Sequence, residues 1–228
     1  MPIHSATGRP TPDEILRSLE EDVPLFHSVP PEAVGLLAEA GFNVQPGDYS
    51  WAVGSAVLRW IANYVGPEML TVETGAGHTT VVLAALAGHH YCHTMAETEA
   101  RRIGEYLDRL GVSRDRVTFT IGSTDQTLPR LAPAAPLDFA YIDGCHGYPF
   151  PALDWHYIDR HLKVGGVIGM DNVELRPVRE HCRFLEEDGC YELVESLADE
   201  ASGAIVRFYR KVRDENREWI CQPYSRVK

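Results

Sequence analysis

The first part of the chain repeats apolar residues every three to four positions, the spacing of amphipathic helices. This pattern predicts three helices, and the first opens with a capping box formed by Thr11 and Glu14. The three helices are predicted to begin at Pro12, Pro30 and Ser50. Gly66-Pro67 ends the third, and the pattern changes immediately afterwards.

From residue 69 onward, short apolar runs alternate with helical stretches. Strands are predicted at 69–74, 90–95, 116–121, 137–142 and 167–170, and helices between them at 79–87, 97–110, 152–163 and 177–188. Two more strands, 191–197 and 204–211, face each other across a glycine turn. The alternation predicts a doubly wound, Rossmann-like α/β fold with a seven-stranded, mostly parallel sheet, a C-terminal antiparallel hairpin and added N-terminal helices.

Composition narrows the classes of protein that fit this pattern. The 228 residues are 44% hydrophobic and 24% charged, as in an ordinary globular domain, and their net charge of -12 disfavours a nucleic-acid partner. We find no signal-peptide pattern and no apolar run long enough to span a membrane. The five cysteines are scattered, without a paired zinc or redox motif. We therefore expect a cytoplasmic protein with no membrane partner.

A glycine loop, Glu73-Thr74-Gly75-Ala76-Gly77, connects the first predicted strand to an apolar helix. Glycines between a strand and a helix let the backbone approach a nucleoside-type cofactor, although the same residues could form only a tight turn. A dinucleotide site would place a third glycine where Thr80 stands, which argues against one. Glu73 is a charge on a buried strand, so its carboxylate could hold the loop or accept from a ligand.

Polar residues also follow the second and third strands. Glu97 lies 20 residues after Gly77 (97 − 77), at the spacing of an acid that binds ribose hydroxyls, but it could equally be a helix-start acid. Ser123 and Thr124 could flank a base or cap a turn. These positions share the sheet edge at which α/β proteins bind ligands.

Asp143 follows the fourth strand, and Asp171 and Asn172 follow the fifth. Two carboxylates and an amide offer the hard oxygen ligands that Mg²⁺ prefers, and two like charges side by side need a cation or a shared proton. The alternative is that Asp171 and Asn172 only cap the next helix. His146 is near enough in sequence to act as a base or as a further ligand.

In these segments the sequence resembles the class I S-adenosylmethionine-dependent methyltransferases. The motifs that carry the resemblance are Val72–Thr80, the acid Glu97, the segment Ile142-Asp143-Gly144-Cys145-His146, and Leu162–Gly166 with Asp171-Asn172. They are similar to the small-molecule subgroup with an I-D-G-x-H motif, and to the metal-dependent catechol-type O-methyltransferases. The catechol-type enzymes carry a lysine after the strand-four Asp, which this chain lacks.

The resemblance implies a role for each matching residue. It implies contacts to S-adenosylmethionine from Glu73, Gly75, Gly77, Thr79, Thr80, Glu97, Ser123, Thr124 and Asp143. It implies a divalent metal, most simply Mg²⁺, bound by Asp143, Asp171 and Asn172. His146 would take the place of the missing lysine as general base, with Asp143 beside it.

The resulting hypothesis is O-methylation of a small hydroxylated metabolite by a domain spanning residues 49–228, with residues 1–48 as a helical lid. A homodimer is one assembly that this hypothesis allows, and the sequence does not fix the oligomeric state. A second hypothesis is a non-methylating enzyme on the same fold that uses S-adenosylmethionine in an eliminative or rearrangement step. A nicotinamide oxidoreductase is a more distant third.

Overall fold

The computed structural model describes residues 9–22, 53–198 and 204–214. The helices in these ranges are α1 (Pro12–Asp22), α2 (Ser55–Tyr64), α3 (His78–Leu86), α4 (Glu97–Arg109), α5 (Thr124–Thr127), α6 (Phe150–Asp159) and α7 (Arg176–Asp188). The strands are β1 (Leu70–Thr74), β2 (His89–Thr94), β3 (Val117–Ile121), β4 (Leu137–Ile142), β5 (Leu162–Met170), β6 (Tyr191–Ala198) and β7 (Ile205–Lys211).

The seven strands form one sheet in the order β3-β2-β1-β4-β5-β7-β6. Strands β1 to β5 run parallel, and β7 pairs antiparallel with both β5 and β6. The predicted fold class is therefore confirmed. The strand order reverses between β1 and β4, where Thr74 is paired with Ile142, and this switch point is where such sheets bind ligands.

Helices cover the sheet on both faces. On β4, Phe139 and Tyr141 pack into a core with α1 to α4, while Ala140 and Ile142 pack into a second core with α6 and α7. Helix α3 lacks a polar face, and its first eight residues are buried, as its uniformly apolar sequence predicts.

Element boundaries differ from the sequence prediction mainly around α6. The helix ends at Asp159, whereas periodicity extended it to Lys163, and β5 begins at Leu162 rather than Val167. Leu162 pairs with Leu137 of β4, and Lys163 forms an ion pair with Asp138. Leu162 and Lys163 therefore belong to β5 rather than to α6, because they contact β4.

The N-terminal prediction is tested only in part. Thr11 and Glu14 form the predicted capping box: the Glu14 amide donates to Thr11 Oγ1 at 3.3 Å, and the Thr11 amide donates to Glu14 Oε2 at 2.7 Å. Helix α1 packs on α2 and α3 and buries Ile15 and Leu19. The predicted second helix and the start of the third at Ser50 lie outside the described residues, so a lid over residues 1–48 stays a prediction. In the part of the chain that the structure describes, no helix is long and apolar enough to cross a membrane.

Candidate functional site

The glycine loop between β1 and α3 lies directly against the loop after β4. Gly75 has φ 85°, and a β-carbon there would lie 2.1 Å from the carbonyl oxygen of Asp143. The Gly75 amide donates to the His93 carbonyl at 2.9 Å, and the Asp143 amide donates to the Thr74 carbonyl at 3.1 Å. The two loops are thus joined by backbone contacts at the switch point, and only glycine fits at position 75.

Thr79 and Thr80 lie in the first turn of α3, and their side chains form hydrogen bonds there. The Gly77 amide donates to Thr80 Oγ1 at 2.8 Å, and Thr79 Oγ1 donates to Glu73 Oε2 at 2.8 Å. Both threonines are buried, at 2% and 0% exposure. The structure therefore gives them partners within the protein, and any contact with the cofactor would have to come from their backbone.

Glu73 lies behind the glycine loop and is fully buried. Its Oε1 is 3.0 Å from His90 Nε2, while its Oε2 accepts from Thr79. His90 Nδ1 is in turn 2.9 Å from Thr71 Oγ1. Of the two roles that the sequence left open, this arrangement favours holding the loop, because protein groups engage both carboxylate oxygens.

Two acids begin α4 after β2. Glu97 is exposed and lines a groove of about 600 Å³ against β3, together with Arg101, Arg114 and Phe119. Glu99, two residues later, is partly buried, and burial raises its pKa although the charge of Arg102 opposes this.

Burial raises the pKa of Cys92, with smaller contributions from the charges of Glu73 and Glu99, and Cys92 Sγ donates to the Gly75 carbonyl at 3.3 Å. The ribose role that the spacing of 20 residues assigns to Glu97 stays a prediction, and Glu99 is a second acid at the start of the same helix.

Ser123 and Thr124 lie at the start of α5, after β3. Ser123 is the N-cap residue, and its hydroxyl donates to Asp125 in a short hydrogen bond. Thr124 is 7% exposed, and its Oγ1 has no hydrogen-bond partner among the described residues. Ser123 therefore occupies the N-cap position without a side-chain capping bond, and an adenine contact stays a prediction.

The loops after β4 and β5 bring two of the predicted metal ligands, Asp143 and Asp171, together with His146. Ligand atoms of Asp143, His146 and Asp171 all lie within 4.8 Å of one another. His146 Nε2 is 3.5 Å from Asp143 Oδ1, and the hydroxyl of Tyr141 donates to Asp171 Oδ1 at 3.2 Å. Residues 28 positions apart in sequence (171 − 143) therefore meet, as the strand-end argument predicts.

Asn172 follows Asp171 with φ 53°, a left-handed conformation that asparagine tolerates better than most residues. Its Nδ2 donates to Glu174 Oε1 at 2.7 Å. The amide oxygen is therefore the end of this side chain that would bind a cation.

The electrostatics of this cluster fit a cation. Burial raises the pKa of Asp143 to about 7, with a smaller contribution from the charge of Glu73. Burial and the neighbouring Asp143 hold the pKa of Asp171 well above its usual range. Two carboxyl groups that resist ionising together are stabilised by a bound positive charge, so the donor set suits a divalent ion.

His146 lies in the same cluster with only 20% of its side chain exposed. Burial lowers its pKa, and the charges of Asp171, Glu174 and Asp154 oppose the shift. A lowered pKa keeps the imidazole neutral near pH 7, the form that can accept a proton.

Asp154 on α6 is a buried acid beside the site that the sequence analysis did not single out. It is fully buried beside the loop after β4, and burial raises its pKa to about 6. In the sequence it stands out as an acid on the apolar face of the helix, because Pro151 and Ile158 lie three and four residues away.

Comparison with known proteins agrees with this site. Residues 72–173 match a family model described as a methyltransferase domain. That span includes the glycine loop and every predicted site residue. No curated protein matches the chain.

Several solved structures are similar to this chain. The cofactor-bound protein Rv0187 from MTB is 21% identical, with 91% of this chain and 100% of that chain covered and a TM-score of 0.64. The O-methyltransferase TomG from Streptomyces achromogenes, solved with SAM, is 16% identical over 86% and 96% of the two chains, with a TM-score of 0.60. An O-methyltransferase from Bacillus cereus, solved with SAH, is 16% identical over 88% and 90%, with a TM-score of 0.55.

At these identities the structural similarity concerns the fold, and the family match concerns the segment that carries the site. Residues 72–173 are thus similar to a methyltransferase domain, and the chain shares the mostly parallel seven-stranded fold of these structures.

Proposed function

We propose that this protein transfers a methyl group from S-adenosylmethionine to a hydroxyl oxygen of a small metabolite, with the help of a divalent metal. The observation that carries the proposal is the meeting of Asp143, His146 and Asp171 beside the Gly75 loop. Methyl transfer is an in-line displacement, so a site that places donor and acceptor side by side supplies much of the catalysis.

The donor would lie on the glycine loop. Its backbone, held by Glu73, Thr79 and Thr80, can approach the methionine end of the cofactor closely. An acid at the start of α4 would bind the ribose hydroxyls, and the segment at Ser123 and Thr124 would lie near the adenine. The similar structures of TomG and the Bacillus cereus enzyme contain SAM and SAH respectively, which supports this choice of cofactor.

The metal would be held by Asp143, Asp171 and the amide oxygen of Asn172. A bound divalent ion fixes the acceptor oxygens and lowers the pKa of the acceptor hydroxyl. The paired carboxyl groups, with their raised pKa values, are the part of this chain that supports a cation.

His146 would accept the proton of the acceptor hydroxyl. The oxygen then forms a bond to the methyl carbon while the sulfur–carbon bond breaks, and its electron pair stays on sulfur. The neutral imidazole that burial favours is suited to this role, and Asp143 at 3.5 Å would stabilise the imidazolium that forms.

The test uses purified protein, S-adenosylmethionine with a labelled methyl group, and a panel of small hydroxylated acceptors, with Mg²⁺ or with EDTA. We expect label in the acceptor with Mg²⁺ and little with EDTA. Cofactor consumption without label in any acceptor would support eliminative or rearrangement chemistry instead. Unchanged transfer in EDTA would contradict the metal, and a lack of S-adenosylhomocysteine binding by calorimetry would contradict the cofactor.

A further inference from the structure

A group of buried polar atoms lies beneath the loop that carries Asp143 and His146. Asp154 is 0% exposed, and neither carboxylate oxygen has a hydrogen-bond partner in residues 9–22, 53–198 and 204–214. The hydroxyls of Thr74 and Thr124 are also buried without a hydrogen-bond partner in these ranges.

Several observations place these atoms together. A β-carbon on Gly144 would lie 3.1 Å from Thr74 Oγ1 and 3.4 Å from Asp154 Oδ2, so both side chains flank this glycine. Helix α5, which begins at Thr124, packs against α6, which carries Asp154. Asp154 therefore lies where the ends of β1 and β4 and the start of α5 come together.

A buried carboxylate without a partner is costly, and native proteins resolve such groups with a hydrogen bond or an ordered water molecule. The neighbouring hydroxyls can donate, and a water molecule bonds to two to four polar groups of this kind. We propose that Asp154, Thr74 and Thr124 enclose one ordered water molecule, and that Asp154 is a positioning residue that fixes the Gly144–His146 loop.

For its effect on turnover this inference rests on the proposed methyl transfer, because the loop carries the proposed base. The loop also contains Cys145, which is exposed, whereas Cys92, Cys182 and Cys190 are buried. The alkylation rate of Cys145 therefore reports the order of the loop without any acceptor. Cys221 lies outside the described residues and is replaced by serine in all proteins for this measurement.

The decisive variant is Asp154→Leu, with Asp154→Asn as the conservative variant. Exchanging an unpaired buried carboxyl for an apolar group of similar size is neutral or stabilising, so Tm should not fall. If Asp154 fixes the loop, Asp154→Leu raises the alkylation rate of Cys145 severalfold and lowers kcat by about 10- to 100-fold, as small misplacements do. Asp154→Asn can still bind water, so its Cys145 alkylation rate and its kcat should lie close to the wild-type values.

Asp159 on the same helix is the matched control. It is also buried, but it accepts from Tyr191 in a short hydrogen bond and pairs with Lys211 at 3.1 Å. Asp159→Leu should therefore lower Tm, while Cys145 in the folded protein reacts at the wild-type rate.

The inference is overturned if Asp154→Leu leaves both Cys145 alkylation and kcat at wild-type values, or lowers Tm as Asp159→Leu does without changing Cys145. A crystal structure without solvent between Asp154 and the threonine hydroxyls would overturn the bridging water. If the wild-type protein methylates no acceptor, only the proposed function fails, because the alkylation rate still decides the role of Asp154.

Discussion

Gly75 and Asp143 meet so closely that a β-carbon at position 75 would lie 2.1 Å from the Asp143 carbonyl oxygen. One residue belongs to the loop that would hold the cofactor, and the other begins the loop that would hold the metal. A disturbance at either position is therefore passed to the other through the backbone.

The first prediction concerns Gly75→Ala. The new methyl group cannot avoid the Asp143 carbonyl unless one loop moves, so we expect weaker S-adenosylhomocysteine binding and a loss of about 3 kcal/mol of stability. Gly165→Ala is the matched control, because Gly165 has φ 89° but no atom within 4 Å of its β-carbon position. It should cost only the left-handed strain of about 1 kcal/mol and leave binding unchanged. Calorimetry measures S-adenosylhomocysteine binding, and urea unfolding measures stability. Equal effects of the two variants would contradict the close contact between Gly75 and Asp143.

The second prediction concerns Asp171→Asn without and with Mg²⁺. In the metal-free protein the variant should be more stable than the wild type, because Asp143 no longer faces a second carboxyl group. The rise in Tm that Mg²⁺ produces should disappear, since Mg²⁺ affinity falls by about 100-fold or more. Thermal unfolding in EDTA and in Mg²⁺ gives both results. A variant that Mg²⁺ still stabilises would exclude Asp171 as a ligand.

The third prediction concerns His146→Gln. If His146 is the general base, kcat should fall by about 100-fold or more while S-adenosylhomocysteine affinity stays the same. His156→Gln is the control, because His156 lies on α6 and bonds to Arg160 away from the loop. Full activity in His146→Gln would remove His146 as the base.

The fourth prediction compares the two acids of α4. Glu99 lies one and two turns before Ile103 and Tyr106, on the side of α4 that packs against the other helices, whereas Glu97 faces the groove at β3. We therefore expect Glu99→Gln to weaken S-adenosylhomocysteine binding by about 10-fold, the cost of one charged hydrogen bond, and Glu97→Gln to weaken it less. The reverse order, measured by calorimetry, would support the ribose role that sequence spacing assigns to Glu97.

The fifth prediction concerns stability in acid. Burial lowers the pKa of His181 from 6.5 to about 4, and the ring packs between Trp155 and Phe184. Between these pH values the unfolded chain binds the proton and the folded chain does not, so stability is full above pH 6.5 and falls as the pH drops toward 4. The loss from this group reaches about 3 kcal/mol.

His181→Phe keeps the ring packing and removes the titrating group. Its unfolding free energy should therefore fall less steeply between pH 6.5 and 4 than that of the wild type. Parallel curves for the two proteins would show that His181 is not a source of the acid sensitivity.

The sequence predicted the fold and the meeting of Asp143 with Asp171, because both depend on short-range patterns: strands alternate with helices, and polar residues stand at strand ends. Glu73 could not be assigned in the same way, since its partner His90 comes from the neighbouring strand and becomes visible only with the sheet register. Asp154 was missed for a related reason. The groups that surround it come from the end of β1, the loop after β4 and the start of α5, and their spacing in the sequence does not show that they meet.

Helix α1 has a consequence for how the protein can be shortened. Ile15, Leu16 and Leu19 belong to the same core as the sheet, and Ser18 forms a short hydrogen bond with Tyr106 of α4. Burial of each such side chain contributes about 1.5–3 kcal/mol, so a fragment cut to the 72–173 span, or one that starts at residue 49, would expose an apolar surface on α3. A fragment that starts at or before Thr11 keeps this packing and is therefore expected to be more stable than either of the shorter ones.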